Sequence, residues 1–203
     1  MVSERYFLFG IEEVGEALKT IIPSVPSGLF NNITKGLKTG KIPSDKILEF
    51  LSNFLNNGII KILIEDPKIG LHIKNQFLNK SGKKINLETD FLDPITIEIV
   101  NNSNLIKINK AEMGKNIPTI KINQSLINEI LENNDFRFLK YLTLPQDDPL
   151  AIKFSETDRE YIADMIVRIF LAVSTAILMR EDLQSKIKKN IEESIKMASS
   201  LFS

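Results

Sequence analysis

The chain has 203 residues, 43% of them hydrophobic and 26% charged, with 26 Lys and Arg balancing 26 Asp and Glu, one histidine and no cysteine. That size and balance fit a folded single domain able to bury roughly 70% of its extended surface, and exclude a fully disordered chain. Without cysteine there is no disulfide, thiolate zinc site, iron–sulfur cluster or cysteine nucleophile. A zero net charge lacks the basic excess of a duplex nucleic-acid binder, so no nucleic-acid partner is expected.

All nine glycines lie between Gly10 and Gly114, and no proline follows Pro149. This punctuation predicts loops and short elements first and long helices last. Residues 4–22 read as an amphipathic helix with Ile11, Val14, Leu18 and Ile21 or Ile22 on one stripe, ended by Pro23 and Pro26. A short helix carrying Phe30, Ile33 and Leu37 follows and stops by Gly40. Ser44 is a candidate N-cap for a helix over 45–57, with Gly58 at its C′ position.

The period then changes to two. Ile60, Ile62 and Ile64, then Ile69, Leu71 and Ile73, alternate with other residues and predict two strands. Residues 75–84 read as a polar loop. Ile85 and Leu87, Ile95 to Ile99, Ile106 and Ile108, Ile120 and Ile122, and Leu150 to Phe154 continue the strand pattern. A turn at Asn102 and Ser103 sets Glu98 opposite Lys107 and Ile97 opposite Ile108, with charges on one face and isoleucines on the other. Asn123 caps a helix with Leu126, Ile127, Ile130 and Leu131, and Asp135 a shorter one through Leu142. From Ser155 onward two helical stripes follow. The first runs from Ile162 to Ile177, the second from Leu183 through Ile187, Ile191 and Ile195 to Ala198, with a break expected near Arg180–Asp182.

The expected fold is α+β, with a mainly antiparallel sheet of about six strands, N-terminal helices, and a C-terminal pair of long helices on the sheet's apolar face. The segments divide as N-terminal helices over 1–57, sheet with inserted short helices over 58–155, and C-terminal helices over 156–203, all in one compact domain.

Chemical motifs are sparse. Gly36, Gly40 and Lys41 make a phosphate-loop pattern one residue too short, with Ile42 in place of the hydroxyl. His72 reads as a surface histidine, and the acid pairs Asp147 with Asp148 and Glu181 with Asp182 read as solvated. Lys80, Lys83 and Lys84 read as a solvated basic loop. We therefore expect no enzyme activity, no cofactor and no metal. The N-terminus lacks a signal-peptide pattern, and the most apolar stretch, 161–179, carries Asp164 and Arg168, so no transmembrane segment and a cytoplasmic location are expected.

The order from Gly58 to Phe170 resembles the sterol carrier protein type 2 domain. The resemblance lies in paired strands, the strand at Leu105–Asn109, the strand-to-helix phrase from Thr119 to Leu131, a short helix through Leu139, a strand at Leu150–Phe154 and a closing helix. It implies binding of lipids or other apolar ligands in a tunnel between sheet and helices. The expected walls are Ile97, Ile99, Ile120, Ile122 and Ile152 from the sheet and Met165, Ile169 and Phe170 from the helix. Stiff β-branched side chains on one face motivate that pocket independently. The alternative is a protein-interaction or assembly subunit, including a homo-oligomer, joined through the C-terminal helix.

Overall fold

A computed structural model describes residues 15–16, 18–26, 28–102, 105–111, 117–133, 138–155, 173–175 and 177–202. Leu18 and Ile21, on a helical turn at 18–21, are buried. Helix α1 (Leu29–Lys38) follows and ends at Thr39. Gly40, at φ 70°, then takes the left-handed turn that stops a helix.

Helix α2 (Ser44–Ile64) begins at the expected place but runs past Gly58, which lies inside it. Its middle, Phe54–Ile60, is π-helical, a widened turn. The strand expected at 60–64 is therefore helix. Ile59, Ile60, Ile62, Leu63 and Ile64 are apolar around the whole circumference, so they satisfy a period of 2 and a buried helix equally. Ile60 and Leu63 are deep in the core, and Ile59, Ile62 and Ile64 pack against it.

The second expected strand is also a helix, α3 (Gly70–Leu78), which takes in part of the expected loop as well. Ile73 and Phe77, four apart, are buried, while Leu71 is 74% exposed. The cause is the turn at Asp66 and Pro67. Asp66 Oδ1 accepts from the N–H groups of Lys68 (2.9 Å) and Ile69 (3.1 Å), and its carbonyl accepts from Gly70 N–H (2.8 Å). An Asx turn of this kind starts a helix more readily than a strand.

Among the described residues the sheet has five strands: β1 (Lys84–Thr89), β2 (Ile95–Ile99), β3 (Ile106–Lys110), β4 (Thr119–Ile122) and β5 (Lys153–Phe154). Their order is β3-β2-β1-β4-β5. The α+β class holds, but the sheet is mixed and not mainly antiparallel with six strands, since β4 runs parallel to β1. A period of 2 assigns faces and says nothing of strand direction. The hairpin register is as expected, with Glu98 opposite Lys107, Ile97 opposite Ile108 and Ile99 opposite Ile106. Val100 N–H closes it on Leu105 carbonyl at 2.9 Å. On the polar face Lys121 meets Glu88 at 2.7 Å and Lys84 meets Glu98 at 3.7 Å.

β3 is an edge strand, and α2 covers it. The Asn56 side chain donates to the Ile106 carbonyl (2.7 Å) and accepts from Ile106 N–H (3.0 Å), so a buried amide pairs with the edge as a neighbouring strand would. Helix α4 (Gln124–Glu132) begins after Asn123 as expected, but Asp90 supplies the cap, accepting from Gln124 N–H at 2.9 Å. The turn at Phe138–Leu142 leads back to β5.

The chain breaks at Arg180, and helix α5 (Glu181–Phe202) runs to the end of the described chain. Leu183, Ile187 and Ile191 are buried as expected, and Ile195 packs at the core's margin. α5 lies chiefly against α1 and α2 and not on the sheet alone, although Ile99 and Leu105 reach the same cluster. The preceding helical stripe, over 156–172, falls outside the described residues. α2 is long and apolar enough to cross a membrane by length and composition. Within the fold, however, its Asn56 is tied to β3 and its Gly58 carbonyl accepts from Asn190 at 3.5 Å.

Candidate functional site

The apolar residues of three helices meet without filling the space between them. α1 contributes Leu29, Phe30 and Ile33, at the i, i+1 and i+4 spacing of one helix face. α2 contributes Phe50, Leu51, Phe54 and Ile59, and α5 contributes Ile191, Ile195 and Ala198. Together with Ile22, Pro23, Val25, Leu131 and Ser194 they line a partly open cavity of about 450 Å³. Among the described residues Ser194 is the one polar residue in the wall, and no titratable group lines it. Phe50 is pinned on two sides, stacked on Phe54 at 6.3 Å and edge-on to Phe202 at 5.8 Å. These rings hold one wall rigid. Ala198, buried on α5, brings only a methyl group to the opposite wall.

A smaller depression of about 260 Å³ adjoins the cavity and shares Val25, Phe30 and Leu131 with it. Its other walls are polar: Ser24, Asn31, Asn128 and Glu132, with Gly28 at the start of α1.

The residues expected to line a pocket on the sheet fall in different places. Ile120 and Ile152 are buried in one cluster with Leu126, Tyr141 and Leu142, and Ile122 packs against it. Ile99 belongs to the cluster of α2, α3 and α5. Ile97 is half-buried on β2 between them. Met165, Ile169 and Phe170 lie outside the described residues. Neither cavity described above is lined by Ile97, Ile99, Ile120, Ile122 or Ile152. The Tyr141 hydroxyl is buried without a hydrogen-bond partner among the described residues.

Among the described residues the groups with shifted pKa values meet at one place, the start of α5. Arg180 binds Asp66 through Nη1 (3.1 Å to Oδ1) and Nη2 (3.0 Å to Oδ2). It also binds Asp182 through Nε (2.9 Å) and Nη2 (2.8 Å). Burial opposes the charge on Asp66, whose side chain is 5% exposed. The N–H donors of Lys68, Ile69 and Arg180 outweigh that and hold its carboxyl below the ordinary aspartate value. Asp182 is likewise lowered, first by its bond to Arg180. This cluster fixes α5 against the start of α3 and sits apart from the cavity. Among the described residues no three acidic or histidine side chains group as a metal site.

Sequence reasoning misses the cavity because its walls come mainly from 22–59 and 191–198, segments that carry no functional motif.

No family model and no curated protein matches the sequence. Among solved structures the chain is similar to the "UbiJ-SCP2 Ubiquinone synthesis protein", at 9% identity and a TM-score of 0.39, over 62% of this chain and 90% of that one. The likeness is weak and confined to part of the chain.

Proposed function

We propose that this protein binds a lipid-like or other apolar small molecule, without catalysis, in the cavity between α1, α2 and α5. The observation that carries the reading is the cavity itself. At about 450 Å³ it falls within the roughly 300–1,000 Å³ of small-molecule sites. A wall with almost no polar group offers an apolar chain burial and offers water no hydrogen bonds. The absence of titratable side chains from that wall supports binding over chemistry.

The test is titration with a fluorescent fatty-chain probe, alongside native mass spectrometry of freshly purified protein. Ala198→Phe fills the cavity and should abolish saturable uptake while circular dichroism stays unchanged. The sheet face, where Ile120, Ile122 and Ile152 were expected to line a pocket, is the competing location. If Ile122→Phe abolishes uptake and Ala198→Phe does not, the ligand sits there instead. The assembly-subunit alternative has less support, since Leu183, Ile187 and Ile191 are already buried by the chain's own helices. Its remaining surface is Met197 and Leu201 on α5, both more than half exposed. A concentration-dependent dimer lost in Met197→Glu with Leu201→Glu would bring it forward.

A further inference from the structure

We infer that the ligand is a single-chain amphiphile with an uncharged, hydroxyl-bearing head, its chain in the apolar cavity and its head in the adjoining polar depression. This rests on the helical cavity being the binding site. The two spaces adjoin, with Val25, Phe30 and Leu131 lining both, so a molecule seated in one has the other beside its end. The change in chemistry across that shared wall is abrupt: hydrocarbon on one side, Asn31, Asn128 and Glu132 on the other. Asn31 and Glu132 are exposed and Asn128 half-buried, so the head sits where water can also reach it.

The head-group chemistry follows from what the depression presents. Asn31 and Asn128 each donate and accept. Glu132 only accepts when ionised, and it ends α4, where the helix's last carbonyls add negative potential. Gly28 lies at the opposite kind of terminus, the start of α1, the positive end of that helix's dipole. A carboxylate or phosphate head would meet Glu132, the one ionisable side chain in the wall. An ammonium cannot accept from the asparagine amides and would face the positive end of α1. A hydroxyl donates to Glu132 and accepts from the amides, so it satisfies both ends.

Three probes with the same hydrocarbon tail test this: monodecanoylglycerol, decanoate and decylamine, each titrated calorimetrically into the full chain. One hydrogen bond gained, or one like charge avoided, corresponds to about a five- to tenfold change in affinity. Monodecanoylglycerol should bind tightest by at least that factor. Glu132→Gln should narrow its lead over decanoate, and Asn128→Leu should weaken it more than decanoate. Both positions are at the surface, and unchanged melting temperatures would show that the variants fold. Equal affinities for all three probes, or a preference for decanoate or decylamine, would overturn the head-group assignment while leaving the cavity as a binding site. No binding of any probe would remove the cavity reading itself.

Discussion

The sheet end and the helical end of this molecule bury similar side chains and reach opposite results. Around β4, the isoleucines of one sheet face close on Leu126, Tyr141 and Leu142 as a packed cluster. Between α1, α2 and α5, an equally apolar set of residues leaves about 450 Å³ open. Hydrogen bonding fixes strand spacing at about 4.8 Å, so neighbouring side chains are delivered at contact distance. Helices have no such constraint. Their separation is set by the side chains at the crossing, so three helices can meet and still leave space between them. Filling depends less on how apolar the residues are than on whether the backbone brings them together.

The largest effect that would test this comparison is at a backbone contact. A methyl group on Gly70 would meet the Ile64 carbonyl, which belongs to the main chain and has nowhere to move. Gly70→Ala should destabilise by about 3 kcal/mol in urea unfolding. Gly58→Ala is its counterpart. Inside α2 the new methyl meets only Phe54 at 3.5 Å, an ordinary contact, and helix propensity favours alanine by about 1 kcal/mol. If Gly58→Ala destabilises as much as Gly70→Ala, α2 does not run through that position as described.

The next effect is at the sheet edge. Asn56→Leu removes both bonds to Ile106 and leaves its N–H and carbonyl covered by an apolar group. The expected cost is about 2–3 kcal/mol, with faster hydrogen exchange at Ile106 N–H. A near-neutral result would mean that water replaces the amide and that the helix does not seal the edge.

What the sequence made legible follows the same division. The Glu98–Lys107 register could be read because a one-residue slip would put isoleucine opposite charge, so a single pattern carried both pairing and facing. The parallel run of β4 beside β1 could not, because alternation is identical for either direction. The helices at 60–78 were hidden by isoleucines that fit either period, and the Asp66–Pro67 turn that decides between them is a local signal easily outweighed by alternation. The cavity was not legible at all. It is a property of distances between helices, and no residue spacing encodes those distances.

The two ends should also differ in their tolerance of added volume. Ile122→Phe inserts into a filled cluster and should cost roughly 1–3 kcal/mol. Ala198→Phe enters open space and should cost less than about 1 kcal/mol, because the new ring finds room and buries apolar area. Guanidinium melts of the two variants side by side decide the matter. Equal penalties would mean that the helical cavity closes in solution.

The smallest expected effect lies in the pH dependence of stability, and it concerns the joint between α3 and α5. Asp66, at the start of α3, and Asp182, at the start of α5, share Arg180, and the carboxyls of both are held below the ordinary aspartate value. A group whose folded pKa is depressed adds stability that is fully present above its unfolded pKa and is lost as pH falls through the folded one. The cluster should therefore contribute in full at neutral pH and fade only in the acid range below the ordinary aspartate value. Arg180 stays charged throughout. Urea unfolding across that range should show a fall in stability that is shallower in Asp66→Asn and shallower again when Asp182→Asn is added. Since Asp66 also accepts from Lys68 and Ile69, the single Asp66 variant should flatten the profile more than Asp182→Asn alone. The reverse order would place the main anchor of α5 on its own first turn, and α3 would then be held to it by packing alone.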